Sequence, residues 1–199
     1  MARRKRKRRS KSHKGGNYER KFCKDFSMWL SKNETDDCFW RSAISGGRAT
    51  VRARKGKRTE GHYGDIIGTN KLGRMFIKKV TAELKCGYPN DACVTIHDCV
   101  TASSATDKRT LLQWIRQAKR AAELAGTPDW ILVHKPDRRE AILYCNGSLF
   151  SDLDIGELQY SGTFQTKKGN LAKDTVGFCS LRRFIKEVDP DTLLNLIKD

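Results

Sequence analysis

The tripeptide Glu83-Leu84-Lys85, preceded by Asp65 in the run His62-Tyr63-Gly64-Asp65-Ile66-Ile67-Gly68, constrains the fold more than any other feature of the chain. Side chains alternate across a strand, so Glu83 and Lys85 share one face and Leu84 takes the other. Val80, Ala82 and Leu84 make an apolar row for a core, which leaves Thr81, Glu83 and Lys85 on an open surface. A hairpin turning at Asn70-Lys71-Leu72-Gly73, with Met75 to Lys85 as its long return strand, brings Asp65 beside Glu83. Two bare carboxylates about 4 Å apart repel by roughly 4 kcal/mol at an effective dielectric near 20. Such a pair requires a shared proton, a cationic neighbour or a metal, and Lys85 supplies only one positive charge. Asp65 and Glu83 are therefore the expected ligands of a divalent cation, magnesium with manganese as a substitute, and such a centre suits the hydrolysis of a phosphodiester.

Charge points to the partner of that centre. Lys and Arg number 40 against 23 Asp and Glu in 199 residues, a net charge of +17, which calls for a polyanion and above all nucleic acid. A ribosome-type structural protein reaches similar charge with no active site, and the carboxylate constellation favours an enzyme over it. Hydrophobic residues make up 38% of the chain, enough for a folded core. No stretch approaches the eighteen or so apolar residues of a membrane helix, and no apolar signal segment follows the charged N-terminus. The expectation is a soluble, unsecreted protein of bacterial or phage-infected cytoplasm, with a nucleus or organelle left open. Seven cysteines, without paired C-x-x-C spacing, suit reduced thiols. Cys86, Cys93, His97 and Cys99 could ring a zinc ion, but their spacings match no standard pattern, and ordinary thiols are the simpler account.

Residues 1–16 carry no acidic and almost no apolar side chain and are expected to form a disordered basic arm that tethers phosphates, imports the chain into a nucleus or only raises solubility. Asn17 is a possible N-cap for a first helix with Tyr18, Phe22, Phe26, Trp29 and Leu30 at helical spacing; Glu19 lies near its start. Cys38 to Ile44 reads as a strand entering Ser45-Gly46-Gly47. Beyond it Arg48, Arg52, Arg54, Lys55, Lys57 and Arg58 crowd a loop placed to carry backbone phosphate, together with Arg41 and Ser45, toward Asp65. A helix from Asp107 to Ala125 buries Leu111, Leu112, Ile115, Ala118 and Ala122, and strands at 130–134 and 140–144 follow. The expected core is an α/β fold in the order α-β-β-β-α-β-β over residues 17–145, with a mixed central sheet flanked by helices. Residues 146–199 are expected as an appendage packed on it.

These residues resemble a PD-(D/E)xK nuclease, and within that superfamily the order is similar to archaeal-type and phage Holliday-junction resolvases. The matching features are Glu19 in the early helix, the strand leading to Ser45-Gly46-Gly47, Gly64-Asp65, Glu83-Leu84-Lys85 and a following helix bearing Gln117. The resemblance implies a restriction-endonuclease-like core and a catalytic set of Glu19, Asp65, Glu83, Lys85 and Gln117. In it Asp65 and Glu83 bind magnesium, Lys85 orients or activates water, Glu19 assists, and the products carry 5′-phosphate and 3′-hydroxyl ends. It further implies DNA recombination on four-way junctions by a homodimer, since paired cuts need two sites related by a two-fold axis. One departure is that Gly64 stands where the motif usually has proline. A less structure-selective phage or restriction-type endonuclease is the alternative enzyme, and a non-catalytic basic nucleic-acid-binding protein the alternative of another class. His62, near Asp65, reads better as an exposed strand histidine than as a base.

Overall fold

Aromatic residues at helical spacing organise the first layer. The computed structural model describes residues 11–42, 63–87, 110–155, 159–165 and 171–197. Helix α1 (Lys11–Leu30) buries Phe22, Phe26 and Leu30. Phe22 stacks on Phe26 at 5.0 Å, and Phe26 meets Phe39 and the edge of Phe76, each at 5.5 Å. Burying each such ring contributes about 1.5–3 kcal/mol. Ser27 ties the next element to the helix: its buried hydroxyl donates to the Cys23 carbonyl and accepts from the Cys38 and Phe39 amides. Strand β1 (Phe39–Arg41) starts from that anchor.

Helix α1 corrects the expected boundary of the basic arm at residue 16 and the expected cap at Asn17, because Lys14, Gly15 and Gly16 are helical. Glycine in a helix costs roughly 1 kcal/mol against alanine. Tertiary contacts offset that cost, since Lys14 pairs with Asp137 and the bare Gly16 backbone lies against the Arg41 guanidinium. The earlier part of the arm, residues 1–10, lies outside the described residues.

Strand β2 (Ile66–Gly68) runs antiparallel to β1 in a two-stranded ribbon, and the expected hairpin then fails. Instead of a turn and a long strand, residues 71–79 form helix α2 (Lys71–Lys79). Asn70 caps it, its side-chain oxygen accepting from the Gly73 amide at 2.9 Å. Leu72, Met75 and Phe76 follow helical spacing, and Lys78 and Lys79 sit at the end that favours cations. Gly73 is a site of close approach and not a turn: a Cβ there would lie 1.8 Å from the Cys38 carbonyl oxygen.

The main sheet has the order β3-β4-β5-β7-β6. Strand β3 (Val80–Cys86) is parallel to β4 (Asp129–Lys135), and helix α3 (Thr110–Ala125) lies between them in sequence, as a parallel pair requires. Strands β5 (Ile142–Asn146), β7 (Leu171–Ser180) and β6 (Gln159–Gln165) continue the sheet antiparallel. The fold is thus α/β, with a mixed sheet flanked by helices. One face packs Val80, Ala82, Leu84, Ile131 and Val133 with α1 and α2; the other packs Trp130, Leu132 and Tyr144 with Trp114, Ile115 and Ala118 of α3.

Residues 146–199, expected as an appendage, share this core. Strand β7 pairs with β5 from Asn146↔Val176 to Ile142↔Ser180. Helix α4 (Gly147–Asp152) buries Leu149 and Phe150. Helices α5 (Leu181–Glu187) and α6 (Pro190–Leu196) deliver Phe184, Leu193 and Leu194 to the same cluster as Phe26, and the Trp29 indole donates to the Val188 carbonyl. Among the described residues no helix is long and apolar enough to cross a membrane.

Candidate acidic site at the edge of the sheet

Asp65 reaches β3 through its backbone before its side chain. Its N–H donates to the Ala82 carbonyl at 2.8 Å, and its own carbonyl accepts from the Ser42 amide at 2.8 Å, so it bridges the ribbon and the edge of the main sheet. Gly64 makes this possible. Its φ of +90° is closed to proline, whose ring holds φ near −65°, which explains why proline does not precede Asp65 here. A Cβ on Gly64 would also meet the Ala82 carbonyl oxygen at 2.7 Å. Thus Asp65 and Glu83 do come together, although through a sheet edge and not the expected hairpin.

The carboxylate oxygen Oδ2 of Asp65 accepts from the Leu84 amide at 2.8 Å. Beside it, Glu83 Oε1 accepts from both Lys85 Nζ and Gln117 Nε2, each at 2.5 Å. The shared face of Glu83 and Lys85 is as the alternation predicts. Their exposure is not: Glu83 is 4% and Asp65 8% exposed, where an open surface was expected. For Glu83 the cause is helix α3, which covers the face of β3 and β4 that carries it and sets Gln117 over the carboxylate.

Burial raises the Asp65 carboxyl from 3.8 to about 7, with repulsion from Glu83 the next cause; the Leu84 hydrogen bond and the Lys85 charge pull the other way, and Glu19 adds a smaller repulsion. Glu19 therefore belongs to the electrostatic neighbourhood of Asp65, and it is ion-paired with Arg41. Arg41, expected to bind phosphate, is engaged by an acid, with about a third of its side chain exposed. Ser45, Arg48, Arg52, Arg54, Lys55, Lys57, Arg58 and His62 lie outside the described residues, as do Cys93, His97 and Cys99 of the conceivable zinc ring.

The oxygen chemistry of Asp65 and Glu83 fits a hard divalent cation, since magnesium keeps several waters and needs only one or two carboxylates from a protein. Among the described residues no three acidic, histidine or cysteine side chains are gathered to hold a metal. His134 is a residue that the sequence did not single out. It lies in register with Lys85 and meets Trp114 edge-on at 4.8 Å, its buried Nε2 has no hydrogen-bond partner, and burial lowers its pKa. Its alternation with Leu132 on β4 was the available signal. No family model, curated protein or solved structure matches the chain.

Proposed function

We propose that the chain is a magnesium-dependent endodeoxyribonuclease of the PD-(D/E)xK type, built on a restriction-endonuclease-like core and acting as a dimer on four-way junctions. The observation that carries this reading is the convergence of Asp65, Glu83, Lys85 and Gln117 at the edge of one strand, with Glu19 close enough to bear on Asp65.

Asp65 and Glu83 would hold the cation, each fixed by a hydrogen bond that sets its orientation. A bound divalent ion supplies positive charge at the phosphoryl oxygens and a more acidic water. Lys85, only 14% exposed, places its ammonium where negative charge grows as phosphorus is attacked, in surroundings that strengthen the interaction. Gln117 holds Glu83 without adding charge. The net charge of +17 draws a polyanion to the chain.

The test is a labelled four-way junction and a linear duplex of the same sequence, each incubated with the purified chain in magnesium or in EDTA. Paired cuts in the junction are expected with magnesium alone, and none from Lys85→Ala. If Lys85→Ala cuts at the parental rate, or no DNA is cut in magnesium or manganese, the assignment is wrong.

A further inference from the structure

Trp40 is the most exposed large apolar side chain among the described residues, at 49%, yet it lies on the strand that leads into the acidic site. Its neighbours explain why it is not core. Phe39 and Ile66 point to the inner face of the ribbon and are buried, so Trp40 and its cross-strand partner Ile67 take the outer face. Nothing in the packing of α1 or the main sheet requires an indole there. We propose that Trp40 is the platform on which an unstacked base of a branched DNA stacks while the adjoining backbone runs toward Asp65 and Glu83.

This rests on the nuclease reading and adds the source of its preference for branched substrates. Three observations support a base as the occupant. A chain with a net charge of +17 recruits a polyanion and disfavours an apolar partner of like charge. An indole presented to solvent on a strongly cationic chain suits unpaired nucleotides, because every base offers a π-face. Bases inside a continuous duplex are unavailable, whereas a branch point supplies unstacked ones. The platform is also fixed relative to the site. Ser42 lies two residues beyond Trp40 and its amide bonds the Asp65 carbonyl, so at about 3.3 Å per residue the Trp40 backbone stands roughly 7 Å along the strand from the residue that makes that bond.

The test is binding without catalysis. A four-way junction carrying 2-aminopurine at the branch point, and the matching linear duplex, are titrated in EDTA with the parental chain, Trp40→Ala and Trp40→Phe. The parental chain and Trp40→Phe should change the 2-aminopurine emission, and Trp40→Ala should not. The ratio of junction to duplex affinity should fall roughly five- to 150-fold in Trp40→Ala and about threefold or less in Trp40→Phe. Thermal melting confirms that the variants fold. An unchanged ratio in folded Trp40→Ala overturns the proposal. So does a change of oligomeric state by light scattering with that ratio preserved, which would make the outer face of the ribbon a contact between copies. Because no cut is needed, a failure of the nuclease assignment would show separately as the absence of scission in magnesium.

Discussion

Replacing Asp65 by Asn should stabilise the metal-free protein at neutral and alkaline pH. Asp65 is 8% exposed, and its carboxyl is pushed from 3.8 to about 7 in the fold. Three units correspond to roughly 4 kcal/mol. Because the folded value lies above the unfolded one, the fold favours protonated Asp65. That contribution is complete below about pH 4, declines as pH rises, and is gone above about pH 7. Asparagine keeps the shape and an acceptor for the Leu84 amide but cannot ionise. With about 2–4 °C of melting temperature per kcal/mol for a chain of this size, Asp65→Asn should melt roughly 8–15 °C above the parent at pH 8 and near it at pH 4. His134 has the opposite dependence, its depressed pKa making its contribution present above its unfolded value and lost as pH falls; common to both proteins, it cancels in the difference. Thermal melts in EDTA at half-unit steps from pH 4 to 8.5 measure this. Magnesium at pH 8 should raise the parental melting temperature and leave Asp65→Asn unmoved. A gap independent of pH would refute the account of Asp65 as a buried, charge-opposed acid.

Glu83→Gln should lower magnesium-dependent cleavage by at least about a hundredfold, and Lys85→Ala should do likewise, read as initial rates on the labelled junction with circular dichroism as the folding control. Gln117→Ala removes one of two donors to Glu83 and should slow cleavage roughly ten- to a hundredfold, the worth of one hydrogen bond to a charged group. Gly64→Ala forces a side chain into a left-handed backbone against the Ala82 carbonyl and should cost about 1–3 kcal/mol in urea unfolding, while blunting the magnesium response of Asp65. Phe26→Ala, at the junction of α1, β1 and α2, should cost about 3–5 kcal/mol in the same assay.

Legibility followed the range of the signal. The alternation that sets Glu83 beside Lys85 is local, and the structure keeps it; so is the aromatic spacing of α1 and the apolar face of α3. What sequence reading missed was tertiary. Gly73 looked like a turn because its close contact with the Cys38 backbone cannot be seen locally, so α2 was read as strand. Gly15 and Gly16 looked like the end of an arm because the contacts with Asp137 and Arg41 come from distant segments. The register of β7 on β5 carries no short-range mark either, so the C-terminal quarter read as an appendage packed on the core and not as strands of its sheet. The burial of Glu83 depended on α3 crossing its face, which periodicity within β3 does not report.

That burial changes the chemistry assigned to the acids. On an open surface, water would screen both carboxylates and a cation would compete only with solvent. At this edge burial and the repulsion of Glu83 raise the Asp65 carboxyl to about 7, so under the proposed function a cation would have to displace the Asp65 proton below that pH. The Lys85 ammonium relieves this repulsion only in part: it bonds Glu83 Oε1 and its charge lowers the Asp65 carboxyl, yet burial and the repulsion of Glu83 outweigh it, and Asp65 Oδ2 is held by the Leu84 amide. The same backbone bonds that lock Asp65 to β3 and Ser42 keep the pair from drifting apart to reduce its repulsion. The fold thus maintains an electrostatic conflict, which under the proposed function a hard cation would resolve, and Gly64 is the backbone position that makes the conflict geometrically possible.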